Sequence, residues 1–190
     1  EIVETIERER VTMTHMAPTM VQAVLNVTGI EQRDLKSLHT ICYSAAPMPV
    51  PLLKRGLKLL GPVFLQLYGM TEGGGTTLHK RQHKPDGTPE EVKRLGSIGQ
   101  AAPTVDIRII DEEGNELPTG QPGEILTRTA THMLGYWNNS AATIAACSAA
   151  IRDCCSGSPA RLWNSPGSAD RSYSSRSAGW RSSAHNRQQV

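Results

Sequence analysis

The stretch from Leu38 to Leu67 constrains the fold more than any other part of the chain. Residues 38–43 (LHTICY) form a short apolar run with Thr and Ile, which suit a pleated strand, and they lead into SAAPMP. Residues 51–60 carry Leu52, Leu53, Leu57, Leu59 and Leu60 in a helical pattern that Gly61 and Pro62 stop. Residues 63–67 then give a second apolar run through Val63, Phe64, Leu65 and Leu67. Strand, crossover helix and strand make a βαβ unit, and its strands must be parallel. The loops at their carboxyl ends, residues 44–49 and 68–75, therefore leave the same sheet edge, where open α/β sheets bind ligands.

The flanks extend this pattern. The opening EIVETIERER is a charged amphipathic helix, and residues 11–14 are a strand candidate. A helix opens at Pro18, which suits a first helical turn, with Val21, Val24 and Leu25 following at helical spacing. After the polar residues 79–94, VDIRII (105–110) alternates at period two, DEEGN and LPTGQPG supply turns, and EILTRT (124–129) is another strand. The expected organisation is an α/β portion over residues 1–100 and an antiparallel β portion over 101–140.

Charge divides the chain further. Residues 1–140 hold 6 Lys and 8 Arg against 16 acids, a balance of −2, whereas residues 141–190 hold 6 Arg against 2 Asp, a balance of +4. That tail is rich in Ser, carries three of the four cysteines and has almost no Val, Leu or Ile. It cannot bury enough apolar surface to offset chain ordering, so 141–190 is expected to be disordered. The total of +2 argues against nucleic acid or an anionic membrane as partner. No run approaches the roughly 18 apolar residues of a transmembrane segment. Cys42, Cys147, Cys154 and Cys155 show no CxxC spacing, so a reducing, cytoplasmic setting is expected.

The common phosphate, dinucleotide, zinc-protease and hydrolase motifs (GxxxxGK[ST], GxGxxG, HExxH and GxSxG) are absent. His79 and His83 stand four apart in a polar stretch with no third ligand nearby, which suits solvated surface better than metal. QLYGMTEGGG (66–75) is more informative. By spacing alone it fits a structural turn as well as a ligand site. Its chemistry favours the latter: a ring to stack on a base, a hydroxyl for a phosphate oxygen and a carboxylate for Mg²⁺.

YGMTEGGG resembles the YGxTE motif of the adenylate-forming superfamily, the AMP-forming acyl-CoA synthetases and ligases. ICYSAAPMP is similar to that family's GGAPL-type loop. LGSIGQAAPTVDIRIIDEEGNELPTGQPGEILTRTATHMLGYWNN is similar to its GxxGxPxPGxExxIVDxxGxxxPxGxxGEIxxRGxxxMxGYW stretch. The resemblance spans roughly residues 10–146, and TMTHMAPTM resembles the segment that helps form the acyl pocket. It implies the fold of part of that family's N-terminal domain, followed here by a disordered tail.

The resemblance also implies residue roles. Ala45, Ala46 and Pro47 would line an adenine, largely through backbone, and Tyr68 would stack on it beside Gln66 and Leu67. Thr71 would bond the α-phosphate, and Glu72 would hold Mg²⁺. His15 would stand near the carboxylate pocket, while Gly69, Gly73 and Gly74, with Gly75, would leave room for the acyl chain and close backbone approach. The implied reaction joins a small-molecule carboxylic acid, fatty or otherwise hydrophobic, to ATP. An acyl-adenylate forms as pyrophosphate leaves, and coenzyme A then displaces AMP. Within the class, an aryl-acid ligase or a peptide-synthetase adenylation domain is the alternative. Outside it stands a non-enzymatic remnant or interaction fragment.

The chain also departs from the family. The family's triphosphate loop would lie upstream, and its GWxxTGD motif, ribose-binding Arg and C-terminal domain with a catalytic Lys would lie downstream. None is found here, so a fragment inactive on its own is expected. From Cys147 the sequence reads CSAAIRDCCSGSPARLWNSPGSADRS, as a shifted reading frame would. Translating the other two frames tests this, and absence of a GWxxTGD-like string near position 150 would sink it.

Overall fold

A computed structural model describes residues 1–146 and, as backbone, the short strand at Gly179–Arg181. Within these residues the chain is a mixed α/β protein with two sheets. It divides into two compact units, one of Glu1–Gly69 with Gly75–Gln100, the other of Met70–Gly74 with the chain from Ala101 onward.

The first unit opens with α1 (Ile2–Arg8), β1 (Met13–Met16) and α2 (Pro18–Leu25). β2 (Thr40–Tyr43), α3 (Val50–Leu60), β3 (Phe64–Met70), β4 (Gly73–Leu78) and α4 (Pro89–Arg94) follow, with Met70 of β3 and Gly73 and Gly74 of β4 counted in the second unit. With β5 (Gln100–Ala101) the strands form one sheet in the order β1-β2-β3-β4-β5. β1 to β3 run parallel, with Met13 opposite Thr40 and Ile41 opposite Phe64, as the βαβ pattern requires. β1 lies two residues beyond its expected place. Arg10 takes φ 51° and Val11 N–H donates to Ile6 O at 3.1 Å, so residues 10 and 11 still close α1.

Apolar spacing decides which helix faces are buried. α2 buries Val21, Val24 and Leu25, and α3 buries Leu53 and Leu57 around Gly56, while Leu52, Leu59 and Leu60 pack at the core's margin. Tyr43 and Phe64 meet edge to face beneath them, ring centroids 6.2 Å apart. Pro18 opens α2, and Gly61, at φ 78°, ends α3. Arg55 ties the two helices by donating to Asn26 Oδ1 (2.7 Å) and Leu25 O (2.5 Å) at the carboxyl end of α2.

The glycines after Glu72 were expected to lie in a loop running to residue 75. Instead the connection is only Thr71 and Glu72, and β4 starts at Gly73. So short a link returns the chain as an antiparallel hairpin. Gly73, Gly74 and Gly75 take φ of 151°, 123° and 133°, values open to glycine but strained for other residues.

In the second unit, β6 (Val105–Ile110) pairs antiparallel with β7 (Glu124–Thr129) from Val105↔Thr129 to Ile110↔Glu124. This register puts Asp106 opposite Arg128, whose Nε donates to Asp106 Oδ2 at 2.8 Å. Asp111 Oδ1 accepts from Asn115 N–H at 2.7 Å and fixes the DEEGN turn. α5 (Ser140–Ala146) crosses the boundary expected at 140, and β8 (Gly179–Arg181) pairs antiparallel with β7. The rest of the tail expected to be disordered lies outside the described residues. Among the described residues no helix is long and apolar enough to cross a membrane.

Candidate functional site

The parallel register brings several expected residues to one edge of the first unit. His15 pairs with Cys42 and Met16 with Tyr43, so the chain leaving β2 passes the end of β1. There His15 Nε2 and Ser44 Oγ lie 2.7 Å apart. Beyond Ser44 the loop bends sharply. Ala45 takes φ 71°, a left-handed conformation uncommon for a residue with a Cβ, and Ala45, Ala46 and Pro47 are exposed while Met48 is buried. The register Tyr43↔Gln66 then sets Gln66, Leu67, Tyr68 and Gly69 at the carboxyl end of β3, beside this loop.

Strand alternation sends Gln66 and Tyr68 to one face of β3, and Leu67 and Gly69 to the other. Tyr68 is half-buried, and that burial raises the pKa of its hydroxyl. Leu67 is 40% exposed. Gln66 O accepts from Thr77 Oγ1 at 2.8 Å, which braces the strand. Gln66 Oε1 is buried without a hydrogen-bond partner, an acceptor that a polar ligand can satisfy.

Thr71, Glu72, Gly73 and Gly74 belong to the second unit. Thr71 is exposed at the turn and Glu72 half-buried. The Tyr136 hydroxyl donates to Glu72 Oε1, and Met133 N–H donates to Glu72 O at 3.3 Å. A Cβ added at Gly73 would stand 2.5 Å from His132 Cδ2, so the ring occupies the space that the missing side chain leaves. Among the described residues no three His, Cys, Asp or Glu side chains gather as a metal cage. A Mg²⁺ ion carried on nucleotide phosphates needs only one or two carboxylates, and Glu72 beside a hydroxyl-bearing Thr71 fits that donor set.

His83 overturns its expected exposure. It is 5% exposed, its Nδ1–H donates to His79 O at 3.0 Å, and its Nε2 accepts from the Tyr43 hydroxyl at 2.9 Å. Burial lowers the His83 pKa and raises that of Tyr43. His79 stays at the surface, its ring accepting from Arg81 N–H and capping the turn at 80–82. His132 and Tyr136 were not singled out in the sequence. Their signal was their place in the matched stretch ending in GYW, which by itself names no partner.

The family profile described as "AMP-binding enzyme" matches residues 1–137. A feruloyl-CoA synthase of an Amycolatopsis species is 34% identical over 143 residues, 75% of this chain and 28% of that protein. A medium/long-chain-fatty-acid–CoA ligase of Mycobacterium tuberculosis is 33% identical over 140 residues, 73% of this chain and 23% of that protein. The chain thus spans under a third of the length of these relatives. Among solved structures, the amide bond synthetase McbA of Marinactinospora thermotolerans superposes with a TM-score of 0.71 at 29% identity, over 78% of this chain and 29% of that one. The anthranilate CoA ligase AuaEII, in complex with anthranoyl-AMP, gives 0.65 at 26% identity over 76% of this chain and 27% of that one. With the profile covering most of its length, the chain belongs to the AMP-binding enzyme family of adenylate-forming acyl-CoA synthetases and ligases.

Proposed function

We propose that this chain is the adenylate-binding part of an AMP-forming acid–CoA ligase whose acid is fatty or otherwise hydrophobic. The observation that carries this reading is the register of β2 and β3, which sets the SAAP loop beside Tyr68 on one sheet edge in a chain of this family. Ala45, Ala46 and Pro47 then line the adenine through backbone, Tyr68 stacks on it, and Gln66 Oε1 supplies a buried acceptor. Thr71 Oγ1 donates to an α-phosphate oxygen, and Glu72 holds Mg²⁺. When bound, the ion neutralises charge on the phosphates. His15, braced by Ser44, stands toward the carboxylate, and Gly74 leaves room for the acyl group, a role expected of Gly73 as well, although the His132 ring fills the space beside that residue. Attack by the substrate carboxylate on the α-phosphorus breaks its bond to the bridging oxygen, pyrophosphate leaves, and the thiol of coenzyme A later displaces AMP.

An aryl acid is the second reading, supported by similarity to a feruloyl-CoA synthase and to an indoleacetate–CoA ligase of Aromatoleum aromaticum. Pyrophosphate release measured with ATP, CoA and a panel of fatty and aryl acids separates the two. Turnover by this chain alone is expected to be absent or very low, because no GWxxTGD-type ribose contact follows GYW. Calorimetric titration with AMP tests the binding reading. Tyr68→Ala should weaken AMP by about fivefold to 150-fold, given ~1–3 kcal/mol for a base stacked on an aromatic ring. Equal affinity in parent and variant would refute the placement of the adenine.

A further inference from the structure

Residues 132–143 make a continuous support behind Glu72, built wholly within the second unit. Met133 N–H holds the Glu72 carbonyl at 3.3 Å, and the His132 ring closes the space beside Gly73. The Tyr136 hydroxyl holds Glu72 Oε1. Tyr136 is itself anchored at the backbone, its N–H donating to Thr143 Oγ1 at 2.9 Å. Thr143 lies on α5, and its hydroxyl donates to Asn139 O at 2.9 Å. Asn139 Oδ1 accepts from Ala142 N–H at 3.0 Å at the start of the helix. A Cβ on Gly135 would lie 3.1 Å from Thr143 Oγ1, so the chain passes tightly against α5 just before Tyr136.

The chemistry of this support suits a carboxylate that holds a cation. A neutral phenol orients one oxygen and leaves the other oxygen and the full negative charge for the ion, whereas a Lys or Arg in its place would cancel the charge. We infer that Tyr136 is a positioning residue for the Glu72 carboxylate, and that α5, through Thr143, sets where Tyr136 stands. This rests on the reading of Glu72 as the group that holds a divalent cation.

Mn²⁺ titrated into the purified chain in the presence of AMP, with free ion counted by electron paramagnetic resonance, tests it. Tyr136→Phe should weaken Mn²⁺ about tenfold, the scale of losing a partner that orients a metal ligand. Thr143→Val should weaken it in the same direction, and Thr143→Ser, which keeps the hydroxyl, should restore parental affinity. Melting temperatures are read in parallel, because a merely structural role for Tyr136 would lower them without changing ion affinity. If Glu72→Gln loses Mn²⁺ while Tyr136→Phe stays within twofold of the parent, the support is overturned and the role of Glu72 stands. If Glu72→Gln binds Mn²⁺ like the parent, or the parent binds none, the cation reading of Glu72 falls and the support falls with it.

Discussion

One added methyl group at Gly56 would place a carbon 2.6 Å from Phe64 Cζ, in a ring that is fully buried. Helix propensity alone favours Gly56→Ala by about 1 kcal/mol. Overpacking a rigid core costs roughly 1–3 kcal/mol, so the expected outcome is net destabilisation, read as a lower urea midpoint. His83 makes a second prediction at this scale. Its folded pKa lies below the ordinary 6.5, so the folded state prefers the neutral ring. The resulting stability is fully present above pH 6.5 and is lost as pH falls through the folded value. Urea midpoints from pH 7.5 down to 5 should therefore drop in the parent and drop less in His83→Gln. Neither effect was legible in the sequence, since Gly56 owes its surroundings to Phe64 on the following strand and His83 to Tyr43 far back in the chain, contacts that pattern does not report. Tyr68, Thr71 and Glu72 were legible as candidates because their chemistry is carried within the short stretch 68–72.

At the scale of elements, apolar periodicity placed α2, α3, β2, β3, β6 and β7 to within a few residues, because each buries one face. β4 was missed for the converse reason. A strand that opens on three glycines has no side-chain pattern there, and its identity comes from backbone pairing with β3. Those glycines are required by conformation: Gly74→Ala at φ 123° should cost about 1–3 kcal/mol of stability. The comparison is with Gly96→Ala, where φ is not in that region and the nearest atoms are at 3.6 Å or beyond. α4 is set by local signals. Thr88 Oγ1 accepts from Glu91 N–H, and the Glu91 carboxylate accepts from Thr88 N–H, a capping box in residues expected only to form a polar stretch. Thr88→Ala should lower stability by about 1 kcal/mol, read by the same denaturation.

For the molecule as a whole, the division at Gln100 and Ala101 follows a change from parallel α/β to antiparallel pairing. Period-two alternation made β6 and β7 legible as strands, but pattern does not report packing partners, so the placement of Met70–Gly74 with the later unit was not legible. If AMP binds the folded chain alone, its melting temperature should rise with AMP and keep rising as log concentration once AMP exceeds its dissociation constant. A melting temperature indifferent to AMP would favour a remnant without ligand.

The register of the two sheets also bears on how quickly each can form. β6 and β7 are joined by residues 111–123, folded back on themselves at the Asp111 turn, so their loop is shorter than the helical crossovers at 17–39 and 44–63 and closes at a lower cost in chain entropy. β1 cannot meet β2, nor β2 meet β3, until the intervening helical segments have brought distant stretches of chain together. Such non-local parallel pairing slows folding. The edge that carries His15, Ser44 and Tyr68 is therefore expected to assemble late, and pulse-labelled amide exchange should show β7 protected before β2.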